Sequence, residues 1–302
     1  MKVVCLSLLT GLAAGPAAAC DLCGVYSADA DRENSGRGVF AGWAGQYTSF
    51  GTLQTDGRVA PNDGEYLRSF TSQFFAGYNF NDRVGLQLNV PVIARSFGSN
   101  AGRGTESGLG DVSLIGNLRL YQKTGDRFTF TWTALGGLKL PTGDSRRLGG
   151  PDFAAGIGGH DLALGSGSYD GVVGTGVSAQ GVRFFVNASA QYAIRTEGDF
   201  GHRYANDLTW SGGPGVILLS TDRAKLGLQF LVSGEGKGRD TVHGVPDQDS
   251  AASAIYVGPQ WSFAWNNRLS AQFGADLPVN YSNTGTQVVV DYRLRAAIHW
   301  RF

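Results

Sequence analysis

Residues 286–302 alternate between apolar and polar side chains along almost their whole length. The apolar positions share one parity: Val288, Val290, Tyr292, Leu294, Ala296, Ile298, Trp300 and Phe302. Because successive side chains of a β-strand point to opposite faces, the pattern predicts a strand with one apolar and one charged face. A typical strand has about 5–6 residues, whereas crossing a bilayer takes roughly 9–11 tilted residues. This stretch is long enough to cross, so the rest of the chain must supply the strands with which it pairs.

The chain ends on an aromatic residue, Phe302, which lies on the apolar face of that strand. This ending resembles the C-terminal signature of bacterial outer-membrane β-barrels, which close on a strand ending in Phe or Trp. The resemblance implies two partners: the lipid of the outer membrane, and the barrel-assembly machinery, which would engage the last strand. It also implies localisation in the outer membrane of a Gram-negative cell.

Composition favours strands in lipid. Charged residues make up 17% of the chain, against a usual share of about 25%. Glycine is frequent, at 46 of 302 residues, and Lys+Arg and Asp+Glu both number 25, which gives no indication of a nucleic-acid partner. After the N-terminus there is no apolar run of about 18 residues, so we expect a closed barrel to span the membrane rather than helices.

Residues 1–19 have the organisation of a secretory signal peptide. Lys2 provides the positive start, residues 3–14 form an apolar run, and Ala17 to Ala19 form a small-residue cleavage site. Residues 20–37 follow as an acidic segment without strand alternation, and the predicted barrel occupies residues 38–302. We expect the acidic segment either to remain in the periplasm or to fold into the lumen as a plug.

The acidic segment contains the one unusual motif, Cys20-x-x-Cys23. Two cysteines at this spacing are compatible with a redox pair or with half of a soft-metal site. They are equally compatible with a periplasmic disulfide or with acylation of Cys20. A complete zinc site would need two further Cys or His ligands, and none is adjacent in the sequence. We therefore expect no cofactor, with a metal at these cysteines as the exception.

Twelve alternating segments separated by Gly, Asn, Asp and Ser clusters are predicted as strands. They lie at 39–51, 65–80, 83–95, 111–121, 127–140, 169–180, 182–195, 207–219, 224–233, 253–265, 268–280 and 286–302. Their connections alternate between short and long, which is typical of outer-membrane barrels with short periplasmic turns. A soluble sandwich or lipocalin-like barrel would not need outward Trp and Phe at its strand ends. The predicted fold is therefore an all-β, antiparallel, up-and-down transmembrane barrel of twelve strands, with a narrow interior.

Three motifs carry a resemblance to a known family. They are GLGD at 108–111, followed by VSLIGNLRLY; LKLPTGD at 138–144; and LALGSGSYD at 162–170. In this order they look like the MetA-type "phenol degradation pathway" family of outer-membrane barrels, over roughly residues 65–302. The resemblance implies a transporter of small, often aromatic or otherwise hydrophobic compounds. It brings no catalytic residues with it.

Charged residues within the predicted strands fall on the face opposite the apolar one. A charge facing lipid costs roughly 2–4 kcal/mol at mid-membrane, so parity places these side chains in the lumen. The candidate lining residues are Asp111, Arg119, Lys139, Arg183, Asp291, Arg293, Arg295 and His299. A net-positive wall favours anions, and it would equally suit the acidic segment as a plug.

No motif indicates an enzyme. GTGVSAQG at 174–181 resembles a nucleophile elbow only in its glycine content, because it lies within an alternating strand. His202 lacks the serine that follows the histidine of the outer-membrane phospholipase. The sequence thus predicts a passive channel for small solutes. The alternative is a structural or metal- or redox-handling outer-membrane protein organised by Cys20 and Cys23.

Overall fold

A computed structural model describes residues 37–266 and 268–302. Twelve long strands account for most of this part of the chain. They are β1 (Gly38–Thr55), β2 (Tyr66–Asn79), β3 (Val84–Ser99), β4 (Ser113–Thr124), β5 (Phe128–Lys139), β6 (Asp170–Gly181), β7 (Phe184–Ile194), β8 (Asp207–Ser220), β9 (Ala224–Lys237), β10 (Ala252–Trp265), β11 (Leu269–Asn283) and β12 (Thr286–Arg301). The predicted signal peptide at 1–19 and all but the last residue of the acidic segment lie outside the described residues.

The strands form one closed antiparallel barrel. Each strand pairs with its neighbour in sequence, and β1 closes the sheet by pairing with β12, from Phe40 opposite Arg301 to Thr55 opposite Thr286. Closure leaves neither β1 nor β12 with an unpaired edge, which an open sheet would expose to aggregation or to lipid. The predicted all-β fold with twelve up-and-down strands is confirmed.

The two ends of the barrel differ. Five short connections, at 80–83, 125–127, 182–183, 221–223 and 266–268, lie at the same end as residues 38 and 302, and we call this the short-turn end. Longer connections occupy the other, long-loop end. One connection there was predicted to be longer than it is: β11 continues to Asn283, so only residues 284–285 join it to β12.

The loops contain little regular structure. Strand Gly102–Leu109 extends a hairpin with β3, while Arg58–Val59 pairs with β1. His202–Arg203, Thr241–Val242 and Val245–Pro246 form a separate small sheet. Helix α1 spans only Gly159–Leu162. None of the helices in the described part of the chain is long and apolar enough to cross a membrane.

The outer surface of the barrel is apolar. Large hydrophobic side chains stand exposed on strand after strand, as for Phe74 on β2, Leu88 on β3 and Phe230 on β9. Exposed aromatic side chains follow the short-turn rim: Phe80, Phe128, Phe184, Trp265, Trp300 and Phe302. The buried hydrophobic residues lie on the inside instead, so the barrel is inverted relative to a soluble protein.

The main buried core fills the long-loop half of the lumen. Residues 140–169, between β5 and β6, fold inward, and we call them the plug loop. Its Ile157 and Leu162 are 0% and 1% exposed. They pack with inward side chains of the wall, and the whole cluster comprises Phe50, Leu53, Leu67, Phe97, Ile157, Leu162, Ala254, Tyr256, Val288 and Val290.

Val288 and Val290 differ from the sequence expectation, which placed them on the outer face with Tyr292. The pairing of β1 with β12 shifts register on both sides of Phe50, where Ser49 faces Tyr292 but Phe50 faces Val290. A bulge of this kind inserts a residue and reverses the faces beyond it. Both valines therefore join the buried cluster, while Tyr292 remains exposed.

Candidate functional site

The three motifs at 108–111, 138–144 and 162–170 meet where the plug loop begins and ends, and we call this place the root of the plug loop. The Asp111 carboxylate accepts hydrogen bonds from the backbone N–H of Gly143 (3.0 Å) and of Ser166 (2.9 Å). Thr142 accepts one from the Val112 N–H at 2.8 Å. Each end of the loop is thereby tied to the chain segment that precedes β4.

Two glycines of these motifs allow a close approach of backbone to backbone. A Cβ on Gly143 would lie 2.7 Å from the carbonyl oxygen of Leu164, and one on Gly165 would lie 2.6 Å from the carbonyl carbon of Gly143. The neighbouring atoms are backbone and cannot move aside, so a side chain at either position would separate the two ends of the loop.

A chain of alternating charges continues from the same root. Lys139 forms ion pairs with Asp111 and with Asp170, the latter at 2.9 Å. Arg195 pairs with Asp170 at 2.9 Å and with Asp207 at 2.8 Å. All five side chains are nearly inaccessible, and that of Asp170 is 0% exposed. Removing one member of such a buried network leaves uncompensated charge, so the network holds β5, β6, the segment after β7 and β8 in one arrangement.

Residues 156–163, in the middle of the plug loop, are held by hydrogen bonds to the barrel wall. The Arg95 guanidinium donates to the carbonyl oxygens of Asp161 (2.6 Å) and Ala163 (2.7 Å). The Gly156 N–H donates to the Glu65 carboxylate at 2.8 Å, and the Gly156 carbonyl accepts from the Val288 N–H at 3.0 Å. The lumen is consequently occupied at this depth by protein.

Loops on the far side of the mouth cover the plug loop. The Tyr204 hydroxyl donates to the His160 carbonyl at 3.0 Å, and the His160 and His202 rings stack with centroids 6.5 Å apart. Neither ring nitrogen of His202 has a hydrogen-bond partner among the described residues, although the side chain is almost fully buried. Burial lowers the pKa of His202, against the opposing effect of Asp240. This histidine is therefore held neutral in the folded loop.

A second polar cluster crosses the lumen beside the plug loop. The Glu235 carboxylate accepts hydrogen bonds from the Tyr256 hydroxyl (2.6 Å) and from Arg293 (2.7 Å). The Arg293 guanidinium lies over the Tyr256 ring, 4.3 Å from its centroid. Arg295 pairs separately with Asp276 at 2.8 Å. The charges of this region are also matched within the wall.

The described residues of the short-turn half of the lumen surround a cavity. Its volume is about 180 Å³, and its lining includes amide and hydroxyl side chains and several cations. Gln260 donates to Gln272 at 3.3 Å, and Gln229 donates to Asn187 at 2.7 Å. The cationic members of the lining are Lys225, Arg268 and Arg301, with His299 beside them.

The structure distributes the eight predicted lining residues over several places. Asp111 and Lys139 lie at the root of the plug loop, while Arg293 and Arg295 pair with different carboxylates. Asp291 sits at the bulge and accepts a hydrogen bond from Thr52 at 2.7 Å. The remaining three lie towards the short-turn end. Of these, His299 stacks on Phe75 (6.1 Å), Arg119 donates to Gln122 (2.8 Å), and Arg183 is exposed in a short connection.

Sequence reasoning missed several members of these clusters. Asp170 lies within the LALGSGSYD motif, which pointed to its region but not to its role. Parity placed Arg195 in the lumen but did not indicate its partners, and Asp207 is the first residue of a predicted strand. Nothing in the sequence distinguished Glu235 or Tyr256 as partners of a lumen arginine.

Metal chemistry has no additional support in this part of the chain. Within residues 37–266 and 268–302, no group of three or more His, Cys, Asp or Glu side chains is placed to hold a metal ion. Cys20 and Cys23 lie outside the described residues, so a metal, redox, disulfide or acylation role for them stays a prediction.

Comparisons with known proteins support the fold. No protein-family model and no curated protein matches the chain. Among solved structures, it is similar to an outer membrane channel from Pseudomonas putida F1, with 16% identity and a TM-score of 0.69 over 92% of this chain and 100% of that chain. The translocator domain of the autotransporter NalP from Neisseria meningitidis is also 16% identical, with a TM-score of 0.44 over 89% of this chain and 90% of that chain. The first similarity, together with the closed sheet of twelve strands, shows that the chain has the fold of an outer-membrane β-barrel.

Proposed function

We propose that the chain is a non-enzymatic channel of the bacterial outer membrane, through which small solutes pass along the barrel lumen. The observation that carries the proposal is the inverted barrel: a closed wall with an apolar exterior around a polar lumen. The described residues fill this lumen at one end and line a cavity at the other. In such a protein the backbone hydrogen bonds are satisfied between strands, and the side chains that face lipid are apolar. Similarity in fold to an outer membrane channel agrees with this role.

The exposed aromatic row fits an interface between lipid and water. Outer-membrane barrels carry aromatic girdles at both edges of their apolar band. In that setting the short-turn end faces the periplasm and the long-loop end faces outward. The cavity then opens towards the cell, and the plug loop closes the outer mouth. Export through a signal peptide at 1–19 is part of this proposal.

The solute class that we propose is small and compact, and includes aromatic or hydrophobic compounds. The cavity of about 180 Å³ is smaller than a drug-sized pocket, which begins at about 300 Å³. The MetA-type resemblance of the three motifs favours aromatic compounds, and those same motifs fix the root of the plug loop. Solute passage would require the plug loop to move from its packed position.

Solute passage can be tested by shortening the plug loop without disturbing its root. Replacing residues 147–162 with a short Gly-Ser linker removes Ile157 and α1 but keeps Asp111, Lys139 and Ser166. We expect a several-fold rise in single-channel conductance in planar bilayers, and faster swelling of liposomes in phenol or arabinose. A matched control replaces only the exposed residues 100–103 at the tip of the hairpin formed by β3 and Gly102–Leu109 with a short Gly-Ser turn, and it should leave both measurements unchanged. A shortened plug loop that neither conducts nor admits any solute would contradict the proposal.

A further inference from the structure

One arginine of β2 stands on the outer wall of the barrel. Arg68 is exposed, as are Phe70 and Phe74 of the same parity, while Leu67 and Ser69 beside it are buried. Since alternate side chains of a strand share one face, Arg68 points outward with the two phenylalanines. Its guanidinium therefore lies outside the lumen, on the side of the wall that faces lipid.

A second arginine faces outward two strands away. Arg103 is exposed in the strand Gly102–Leu109, which pairs with β3 and which we call the hairpin strand. Glu106 of that strand points to the inside, where it pairs with Arg147 of the plug loop. Arg103 has the opposite parity, so its side chain lies on the outer face together with that of Arg68.

The register of the sheet brings the two arginines close together. β3 lies between their strands, with Ser96 opposite Arg68 and Gly98 opposite Arg103. A strand spacing of about 4.8 Å and a rise of about 3.3 Å per residue separate their Cα atoms by about 12 Å. Because arginine side chains are long, both guanidinium groups can contact one ligand that lies between them.

A tyrosine ring lies between the two arginines. Tyr66 is paired with Gly98, and a Cβ on this glycine would lie 2.6 Å from the Tyr66 ring. The ring therefore extends from β2 over Gly98, in the direction of Arg103. The Arg68 guanidinium lies 5.2 Å from the centroid of the same ring. This cation–π contact holds the Arg68 guanidinium on the outer face.

The two arginines lie at the upper edge of the apolar band. Arg68 is ten residues along β2 from Tyr78, whose ring packs against Phe80 of the short-turn rim. Ten residues of a strand that is tilted by about 40° rise by about 25 Å along the barrel axis. The apolar band of outer-membrane barrels has the same height, about 25 Å. With the long-loop end facing outward, Arg68 and Arg103 lie level with the headgroups of the outer leaflet.

Hydroxyl side chains share the outer face with the arginines. Strand pairing places four of them in one row with Arg68: Tyr292, Ser49, Ser96 and Thr105. Hydroxyl groups donate hydrogen bonds to phosphate and sugar oxygens. The sequences of β12, β1, β2, β3 and the hairpin strand contain two carboxylates, Asp291 and Glu106. Glu106 pairs with Arg147 inside, and Asp291 accepts a hydrogen bond from Thr52 at the bulge. The charge of this outer face is therefore positive.

From these observations we propose that the outer patch formed by Arg68, Arg103 and Tyr66 binds the phosphorylated headgroup of a lipopolysaccharide molecule in the outer leaflet. Arginine binds phosphate through paired, charge-assisted hydrogen bonds. The acyl chains of the lipid then lie along the apolar wall, where Phe70 and Val92 are exposed. A lipid is the occupant because the patch adjoins the lipid-facing band. The inference goes beyond the proposed channel and rests on it only for the orientation of the barrel in the membrane.

The test uses the full-length protein in detergent micelles and two probes, lipid A with both phosphates and lipid A from which both have been removed. Native mass spectrometry measures the bound lipid across a titration. The phosphorylated form should bind about tenfold more tightly, as one charge-assisted hydrogen bond would provide. Arg68→Gln/Arg103→Gln should lose this preference. Arg58→Gln/Arg239→Gln, which removes the same charge from exposed connections of the same end, should keep it.

Two results would overturn the proposal. The first is equal binding of the two forms of lipid A by the wild-type protein, a measurement that needs no variant. The second comes from competition with millimolar inorganic phosphate, which should leave the lipid in place because the acyl chains also contribute to binding. Full displacement of lipid A by inorganic phosphate would show a site for a free ion instead of a lipid.

The variant with a replaced hairpin tip separates this result from the proposed channel. Replacing residues 100–103 removes Arg103, so its affinity for lipid A should fall several-fold while its conductance stays at the wild-type value. An unchanged affinity would exclude Arg103 from the site and contradict the proposal. Conductance of the variant with a shortened plug loop does not depend on lipid A, so either proposal can fail while the other stands.

Discussion

The long-loop and short-turn halves of the lumen are built from the same twelve strands but in opposite ways. In the long-loop half, buried Asp170 is shared by Lys139 and Arg195, and Ile157 is enclosed by apolar wall residues. In the short-turn half, cations and amides line a cavity. The difference shows that a barrel wall alone does not close a lumen. Closure requires an inserted segment together with wall residues that compensate its charges and cover its apolar side chains.

The comparison predicts that Asp170→Asn lowers the unfolding free energy severely, and this is the largest effect that we expect. The change removes the carboxylate shared by Lys139 and Arg195 and leaves buried positive charge with less compensation. Breaking a buried ion pair costs about 3–5 kcal/mol. Urea unfolding in micelles should reveal this loss, and planar-bilayer recordings should show more frequent open events. Asp82→Asn, at an exposed turn of the other end, should change the unfolding free energy by less than about 0.5 kcal/mol. Equal effects of the two substitutions would remove the distinction between the halves.

The second prediction compares one apolar substitution in each half. Ile157→Ala leaves a void in a fully enclosed site, and such changes cost about 2–5 kcal/mol. Ile217→Ala, in the lining of the short-turn cavity, only widens a cavity that the described residues already leave, and it should cost clearly less. Unfolding free energies measure the cost, and limited proteolysis within the plug loop reports whether Ile157→Ala releases it. A plug loop that resists proteolysis in this variant would show that its hydrogen bonds suffice to hold it.

The third prediction concerns pH and the loops that cover the plug loop. Burial lowers the pKa of His202 below its ordinary value of 6.5, although Asp240 and Asp247 oppose the shift and His160 and Lys237 reinforce it. A histidine with a lowered folded-state pKa contributes its full stability above pH 6.5. This contribution is lost as the pH falls below 6.5, because the unfolded loop takes up the proton first.

Acidification from pH 7.5 to 5 should therefore lower the stability of the loops and raise the frequency of channel opening. His202→Phe should weaken this dependence, since a neutral ring of similar shape does not titrate. His243→Phe, at an exposed loop position, should preserve it. Identical pH profiles for wild type and His202→Phe would assign the dependence to other groups.

The sequence predicted the wall far better than the contents of the lumen. Strand alternation is a local signal, so all twelve strands and the inward direction of Arg293 followed from parity. Pairing across the lumen is not local: Arg293 and its partner Glu235 are 58 positions apart. The bulge opposite Phe50 reversed the faces of Val288 and Val290 because a single inserted residue changes parity without changing composition.

The contacts that the plug loop makes in the lumen could not be predicted, for a related reason. Ile157 and Leu162 lie in a glycine-rich stretch without helical or strand periodicity, and their burial depends entirely on the enclosing wall. The three motifs did not indicate that their segments meet. Gly143 and Gly165 are 22 positions apart in the sequence, and only the fold brings their backbones together. Local patterns thus define the strands, and long-range contacts define how the lumen is filled.

The smallest effect is expected for Arg268→Gln, and it gives the sharpest contrast with the buried arginine of the long-loop half. Arg268 lines the cavity of the short-turn half and is exposed among the described residues, so its loss should change the unfolding free energy by less than about 0.5 kcal/mol. Arg195→Gln removes a buried guanidinium that pairs with both Asp170 and Asp207, and about 3–5 kcal/mol should be lost. Urea unfolding of the two variants in the same detergent compares the same Arg-to-Gln substitution at an exposed and at a buried site. A large loss for Arg268→Gln would mean that Arg268 stabilises the fold as the buried arginine does, and the two halves would not differ in this respect.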